Sequence, residues 1–232
     1  MPPFSILDLA ALAWFTAAWA SYAFMLEYAP LERKSLNARM NHYREVWMRR
    51  MLDREMRMVD MQIMAALQNG TAFFASTSLI AIGGALTLIR SADDVLTMFA
   101  TLPLGIQTTR VQWEAKVIGL AVIFVYAFFK FAWSYRLFNY VAIMFGATPL
   151  AADKDTPEAA AHALRTAHLF TSAGRHFNRG QRAFFFALAY LGWFMGPLVF
   201  MATTLAALIV MWARQFASDA LRAVVGPPTR QP

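Results

Sequence analysis

Twenty-nine consecutive residues, 61–89, carry no charge. In water such a run would have to be wrapped on every side by other parts of the chain. This chain has 232 residues, of which 59% are apolar and only 15% charged. That leaves too little polar surface to cover the run without exposing large patches. In a bilayer the same run sits in its own solvent. A hydrocarbon core about 30 Å thick needs roughly 20 helical residues, and an isolated strand would leave backbone groups unpaired there. Four stretches qualify: 9–26, 61–89, 117–139 and 183–213. The third is interrupted by Lys130 and Arg136, the fourth by Gly196-Pro197. The expectation is an all-α integral membrane four-helix protein, one domain over residues 1–232.

Basic residues set the orientation. Eight Lys and Arg separate the first and second spans, three the second and third, and six, starting at Arg136, the third and fourth. Three follow the last span and none precedes the first. Short loops rich in Lys and Arg stay in the cytoplasm. This predicts a bacterial inner-membrane protein with both termini periplasmic. The net charge of +7 is explained by topology, and no nucleic-acid motif accompanies it. The first Lys or Arg is Arg33, after the apolar stretch, so that stretch lacks the basic start of a signal peptide and reads as a retained span.

The first basic loop has its own pattern. In residues 35–60, Leu36, Met40, Tyr43, Trp47, Met51 and Met58 recur mostly at spacings of three or four, with Met61 continuing the line. This predicts an amphipathic helix capped by Ser35 after a turn at Pro30, supported by Glu45/Arg49 and Asp53/Arg57 pairs, and running unbroken into the second span. Its face suits lipid, a partner, or the chain's own second loop. That loop predicts a helix over 156–173, opened by Thr156, Pro157 and Glu158. A basic loop, GRHFNRGQR, follows. Its Arg175, Arg179 and Arg182 are candidates for an anion or lipid headgroup, or a solvated junction that fixes topology. Each half of the chain enters, carries a basic segment and returns, as a parallel repeat would.

Within the spans, polar groups concentrate on the second. Asn69, Ser76 and Gly83 fall seven apart, as do Gly70, Thr77 and Gly84, with Thr87 continuing the line. Such a strip lets helices pack closely or lines a watery path, so Asn69, Ser76 and Thr77 are candidates for either role. Gly192 and Gly196 form a GxxxG packing pattern, and Pro197 should kink that helix. Lys130 is read as the one ionisable residue well inside an apolar run: a functional site, or a lysine whose stem reaches the boundary near Arg136. No cysteine is present, and His42, His162, His168 and His176 all lie outside the spans. No cofactor, haem, metal or nucleotide site is therefore expected.

The stretch from Asn41 to Gly84, NHYREVWMRRMLDREMRMVDMQIMAALQNGTAFFASTSLIAIGG, resembles a family of bacterial and plant multi-span membrane proteins classed as domain of unknown function 599. The run from Asn178 to Pro197, NRGQRAFFFALAYLGWFMGP, is similar to the same family. The resemblance implies a multi-span layout over residues 5–215 and supplies no catalytic residues. Three functions stay open. The first is a non-enzymatic homo-oligomer in the lipid bilayer, with a solute or ion path. The second is an accessory subunit of a larger membrane complex, docked through the Met-rich face. The third is an enzyme on lipid headgroups at GRHFNRGQR, with Asp153, Asp155 or Glu158 as its acid.

Overall fold

Helices begin where the sequence places capping side chains. Ser35 Oγ accepts from the Ala38 amide, and Thr156 Oγ1 from the Ala159 amide with Pro157 in the first turn. Thr109 and Gln112 form a reciprocal capping box. The computed structural model describes residues 4–28, 34–101 and 108–225. Pro30, Arg33 and Arg230 lie outside the described residues. All regular elements among them are helices: α1 (Ile6–Tyr28), α2 (Leu36–Met51), α3 (Met58–Arg90), α4 (Ala92–Thr101), α5 (Arg110–Gly146), α6 (Pro157–Tyr190), α7 (Pro197–Phe216) and α8 (Asp219–Val225). Four stretches are long and apolar enough to cross a membrane: α1, α3, α5 and Pro197–Val225. The expected all-α membrane architecture is the one adopted.

The region 183–213 is not one kinked helix. α6 ends at Tyr190, a 3-10 turn covers Leu191–Phe194, and Gly196 takes φ 135° before α7 starts at Pro197. That φ lies in a region L side chains rarely adopt, so Gly196 permits the reversal. Pro197 then opens α7 at its first position, where a missing N–H costs nothing. α7 returns along α6: Thr203 Oγ1 donates to the Ala189 carbonyl at 2.7 Å, and Trp193 stacks on Phe200 at 5.2 Å. At the far end of α7, Arg214 sits over the Phe185 ring and Gln215 accepts from the Asn37 amide. The start of α1 bonds to the α6–α7 turn through Asp8 and Trp193. The two ends of the described chain therefore lie at opposite ends of the bundle, because the turn adds a pass that a single kinked rod would lack.

The helix expected over 35–60 also stops early. α2 ends at Met51 and α3 begins at Met58, so 35–60 does not run unbroken into the second span. The break is held by side chains. Trp47 Nε1 donates to Asp60 at 2.6 Å, Arg54 pairs with the same carboxylate, and Arg57 donates to the Thr148 and Pro149 carbonyls. Glu45 and Arg49 pair as expected, but Asp53 bonds Lys154 instead of Arg57. Met51 of the methionine face, with Met48 beside it, is buried with Phe138, Phe145 and Phe170 of α5 and α6. Met56, Met58 and Met61 are exposed. The segment expected as a loop at 174–182 is helical, inside α6.

At about 1.5 Å per residue, α5 is roughly 55 Å long and outruns a bilayer core of about 30 Å. The surplus of α5 and α6, with α2 laid on them, forms a separate core beyond the apolar belt. The main core lies between α1, α5, α6 and α7, around Phe15, Phe186, Tyr190, Trp193 and Phe200. α3 lies at the edge of that core, packed along α5, with Phe74 stacked on Phe131.

Candidate functional site

The face that α3 turns to α5 comprises Met64, Thr71, Ser78 and Ala85, spaced by seven. Gln68 reinforces it by donating to Asn139 at 2.8 Å, and Trp113 Nε1 donates to the Leu88 carbonyl. Asn69, Gly70, Ser76, Gly83, Gly84 and Thr87 are exposed, and Thr77 is half-buried. A Cβ added at Gly70, Gly83 or Gly84 would meet nothing within 4 Å. Among the described residues the strip therefore packs on no other helix and lines no interior channel. The tight glycines lie elsewhere. A side chain at Gly119 would run into the Tyr190 hydroxyl, one at Gly180 into the Phe131 ring 2.6 Å away, and one at Gly174 into Arg44. Gly192 abuts Thr203 across the α6–α7 turn. Gly192 thus packs within the hairpin, and Gly196 acts through its backbone angle.

Lys130 is half-buried, and its ammonium lies 5.0 Å from the Tyr126 ring, one turn back along α5. Its neighbour across α6 is His176, whose pKa burial lowers, with the charges of Arg179, Lys130 and Arg175 adding to the effect and Glu27 opposing it. Lys130 thus sits at the level of a polar cluster, not in the middle of the apolar belt. The cluster's centre is Glu27, on the last turn of α1. Arg179 grips both its oxygens, at 2.9 and 2.6 Å, and Arg182 adds a third bond at 2.6 Å. The hydrogen bonding of Arg179 to Glu27, with the carboxylate's charge beside it, holds the Arg179 pKa above the usual arginine value. Arg175 makes no ion pair among the described residues. Glu27 joins α1 to α6, a role invisible without the fold. Its one sequence signal was position: an acid directly after an uncharged stretch, facing a run of three arginines.

A second polar knot closes the other end. Lys116, only 6% exposed, donates to the Trp193 carbonyl at 2.9 Å and lies over the Trp193 ring. Asp8 accepts from Trp193 Nε1 at 2.8 Å and from Ser5. Lys130 is therefore not the most deeply placed lysine. Lys116 sits between Glu114 and Val117 at the edge of an apolar run, and only the turn at Gly196 brings a partner to it. Among the described residues no group of His, Asp and Glu is placed to hold a metal. His162 instead faces the Met144 carbonyl at 2.9 Å.

The model of the family described as protein of unknown function DUF599 matches residues 10–220. The chain belongs to that family. No curated protein and no solved structure matches it. The DUF599 match includes both stretches that carry the resemblance in sequence, Asn41–Gly84 and Asn178–Pro197. It also contains the Glu27 cluster, the α3 strip and the turn at Gly196, so all three lie inside the DUF599 region.

Proposed function

We propose that this is a non-enzymatic, self-associating protein of the bacterial inner membrane, in which α3 meets a second copy. The observation that carries this reading is the outward strip of Asn69, Gly70, Ser76, Gly83 and Gly84. Each glycine weakens a helix by about 1 kcal/mol relative to alanine. Three on an uncovered face are rational where a neighbouring backbone comes close. In lipid, Asn69 and Ser76 gain most from a hydrogen-bonding partner across such a contact. The bundle interior is filled with aromatic rings, so a solute or ion path would run between copies, bordered by Asn69, Ser76 and Thr77. Among the described residues, only Arg90, Arg110 and Lys116 of the Lys and Arg lie away from the α2 end. That asymmetry supports the α2 end as cytoplasmic. The apolar half of α6 then makes a fifth pass, and α7 ends in the cytoplasm.

The chain has no cysteine, so single cysteines report cleanly. Ser76→Cys and Gly83→Cys should give disulfide-linked dimers in native membranes, and Val122→Cys, exposed on α5, should not. Equal dimer from Val122→Cys, or none from the strip, would remove the reading. An accessory-subunit reading has its own support. Tyr43, Met56, Val59 and Ile63, with Arg50 and Arg54, line an open, mixed recess of about 540 Å³ between α2 and α3. Crosslinks from Ile63→Cys to another protein, with none between strip positions, would favour it.

A further inference from the structure

The cytoplasm-facing side of the α1–α6–α7 junction contains a polar cleft that the self-association reading does not use. Its main chamber, about 220 Å³, is lined by Tyr22, Asn37, Gln181, Arg182, Arg214 and Gln215, among others. A smaller chamber of about 90 Å³, between Glu27, Arg175 and Arg179, adjoins it and shares Asn37, Asn178 and Arg182. Four guanidinium groups thus face one carboxylate, so the cleft keeps a positive excess after Glu27 is paired. Arg182 spends one nitrogen on Glu27, and Arg214, which lies over the Phe185 ring 5.0 Å away, makes no ion pair or hydrogen bond among the described residues. The side-chain amides of Asn178 and Gln181 have no protein partner among the described residues, and Asn37 bonds there only through its backbone.

Next to the cleft, sharing Tyr22, an open apolar groove of about 590 Å³ runs between α1 and α7. Met25, Leu208, Ile209 and Trp212 line it. Ile209 and Trp212 are exposed there, on helices of the apolar belt. A cationic, amide-rich chamber at the boundary and an apolar channel leading into the belt match the two ends of one molecule. We infer that the cleft binds the phosphodiester of one anionic phospholipid, with an acyl chain lying in the α1–α7 groove. Arg182 and Arg214 take the phosphate oxygens, and the free amides take headgroup hydroxyls. A zwitterionic headgroup brings a cation that Arg175 and Arg214 repel, so an anionic lipid is preferred.

Delipidated protein in a neutral maltoside detergent, titrated with dioleoyl phosphatidylglycerol or phosphatidylcholine under native mass spectrometry, tests this. One phosphatidylglycerol adduct should form at roughly tenfold lower concentration than the phosphatidylcholine adduct. Arg214→Gln should erase that preference. Ile209→Trp, filling the groove, should weaken phosphatidylglycerol binding roughly tenfold. Both positions are exposed, so both variants should fold. Arg222→Gln on α8 removes one charge outside the cleft and should change nothing. Equal binding of the two lipids overturns the inference, as does an equal loss in Arg222→Gln. So does thermal protection by inorganic phosphate that matches phosphatidylglycerol, which would mark a free-anion site. None of these readouts depends on whether the protein self-associates.

Discussion

α3 and α5 are equally apolar, yet their surroundings differ. In its most apolar stretch α5 has 33% of its residues buried within the protein, and α3 has 11%. α5 uses its small residues inward. Gly119 and Gly180 let α5 and α6 close on Tyr190 and Phe131, and Ser134 donates to the Ala173 carbonyl at 2.8 Å. α3 turns most of its small residues away. The difference teaches that apolarity selects the solvent, while the direction of small residues selects the neighbour.

The largest test of that difference lies in the α5–α6 seam. Gly180→Leu should cost about 3 kcal/mol, because the added atoms overlap the fully buried Phe131 ring and the seam cannot open. Thermal unfolding in detergent and the yield of monodisperse protein both read it. A stable Gly180→Leu protein would show that the seam is looser than the contact implies.

The next test acts on the foot of α3. Asp60 is fully buried and accepts from Trp47 and Arg54. Asp60→Ala leaves both donors unpaired at the α2–α3 break, at about 2 kcal/mol. Hydrogen exchange should rise at the start of α3 and the end of α2, and stay slow through α5 and α6. Uniform acceleration would mean that α3 is as integral to the bundle as α5.

A smaller effect is expected from pH. The folded-state pKa of His176 is lowered, so the unfolded chain binds its proton more readily. Stability from this group is complete above the unfolded value of about 6.5 and declines as pH falls through it. Between pH 7.5 and 5.5 the loss should stay below about 1 kcal/mol, since His176 is half-buried. His176→Gln should flatten that slope. An identical acid slope in the variant would place the sensitivity elsewhere.

The smallest effect on stability is expected on α3's outer face. Gly83→Leu meets open space and should shift unfolding by less than about 0.5 kcal/mol. The same change should convert oligomer to monomer in light scattering. If it unfolds the protein instead, the outer face is part of the fold.

The sequence makes the helices and their caps legible, because charge-free length and Ser or Thr caps act locally. It leaves the facing of α3 open for a physical reason. Asn69, Gly70 and Thr71 each begin a line of small residues at spacing seven, and neighbours on a helix are about 100° apart. Thr71, Thr77 and Ser78 all bond their hydroxyls to the carbonyl four residues back, so no hydroxyl marks its line. The α7 reversal was also hidden. Gly196-Pro197 in an apolar run fits a kink as well as a turn, and the bonds that decide it come from Asp8 and Lys116, far away in sequence. Arg179 and Arg182 were visible as a basic run, but their partner Glu27 is more than 150 residues distant.

Gly196 places this chain at a fork between two insertion outcomes. With the backbone reversed there, α8 returns to α2, and on the topology proposed above the membrane is traversed an odd number of times with α8 and α2 in one compartment. With residues 183–213 as one straight helix, the number is even and α8 emerges on the opposite side. On that proposed topology, one dihedral angle, held open by a missing side chain, decides which compartment can reach α8.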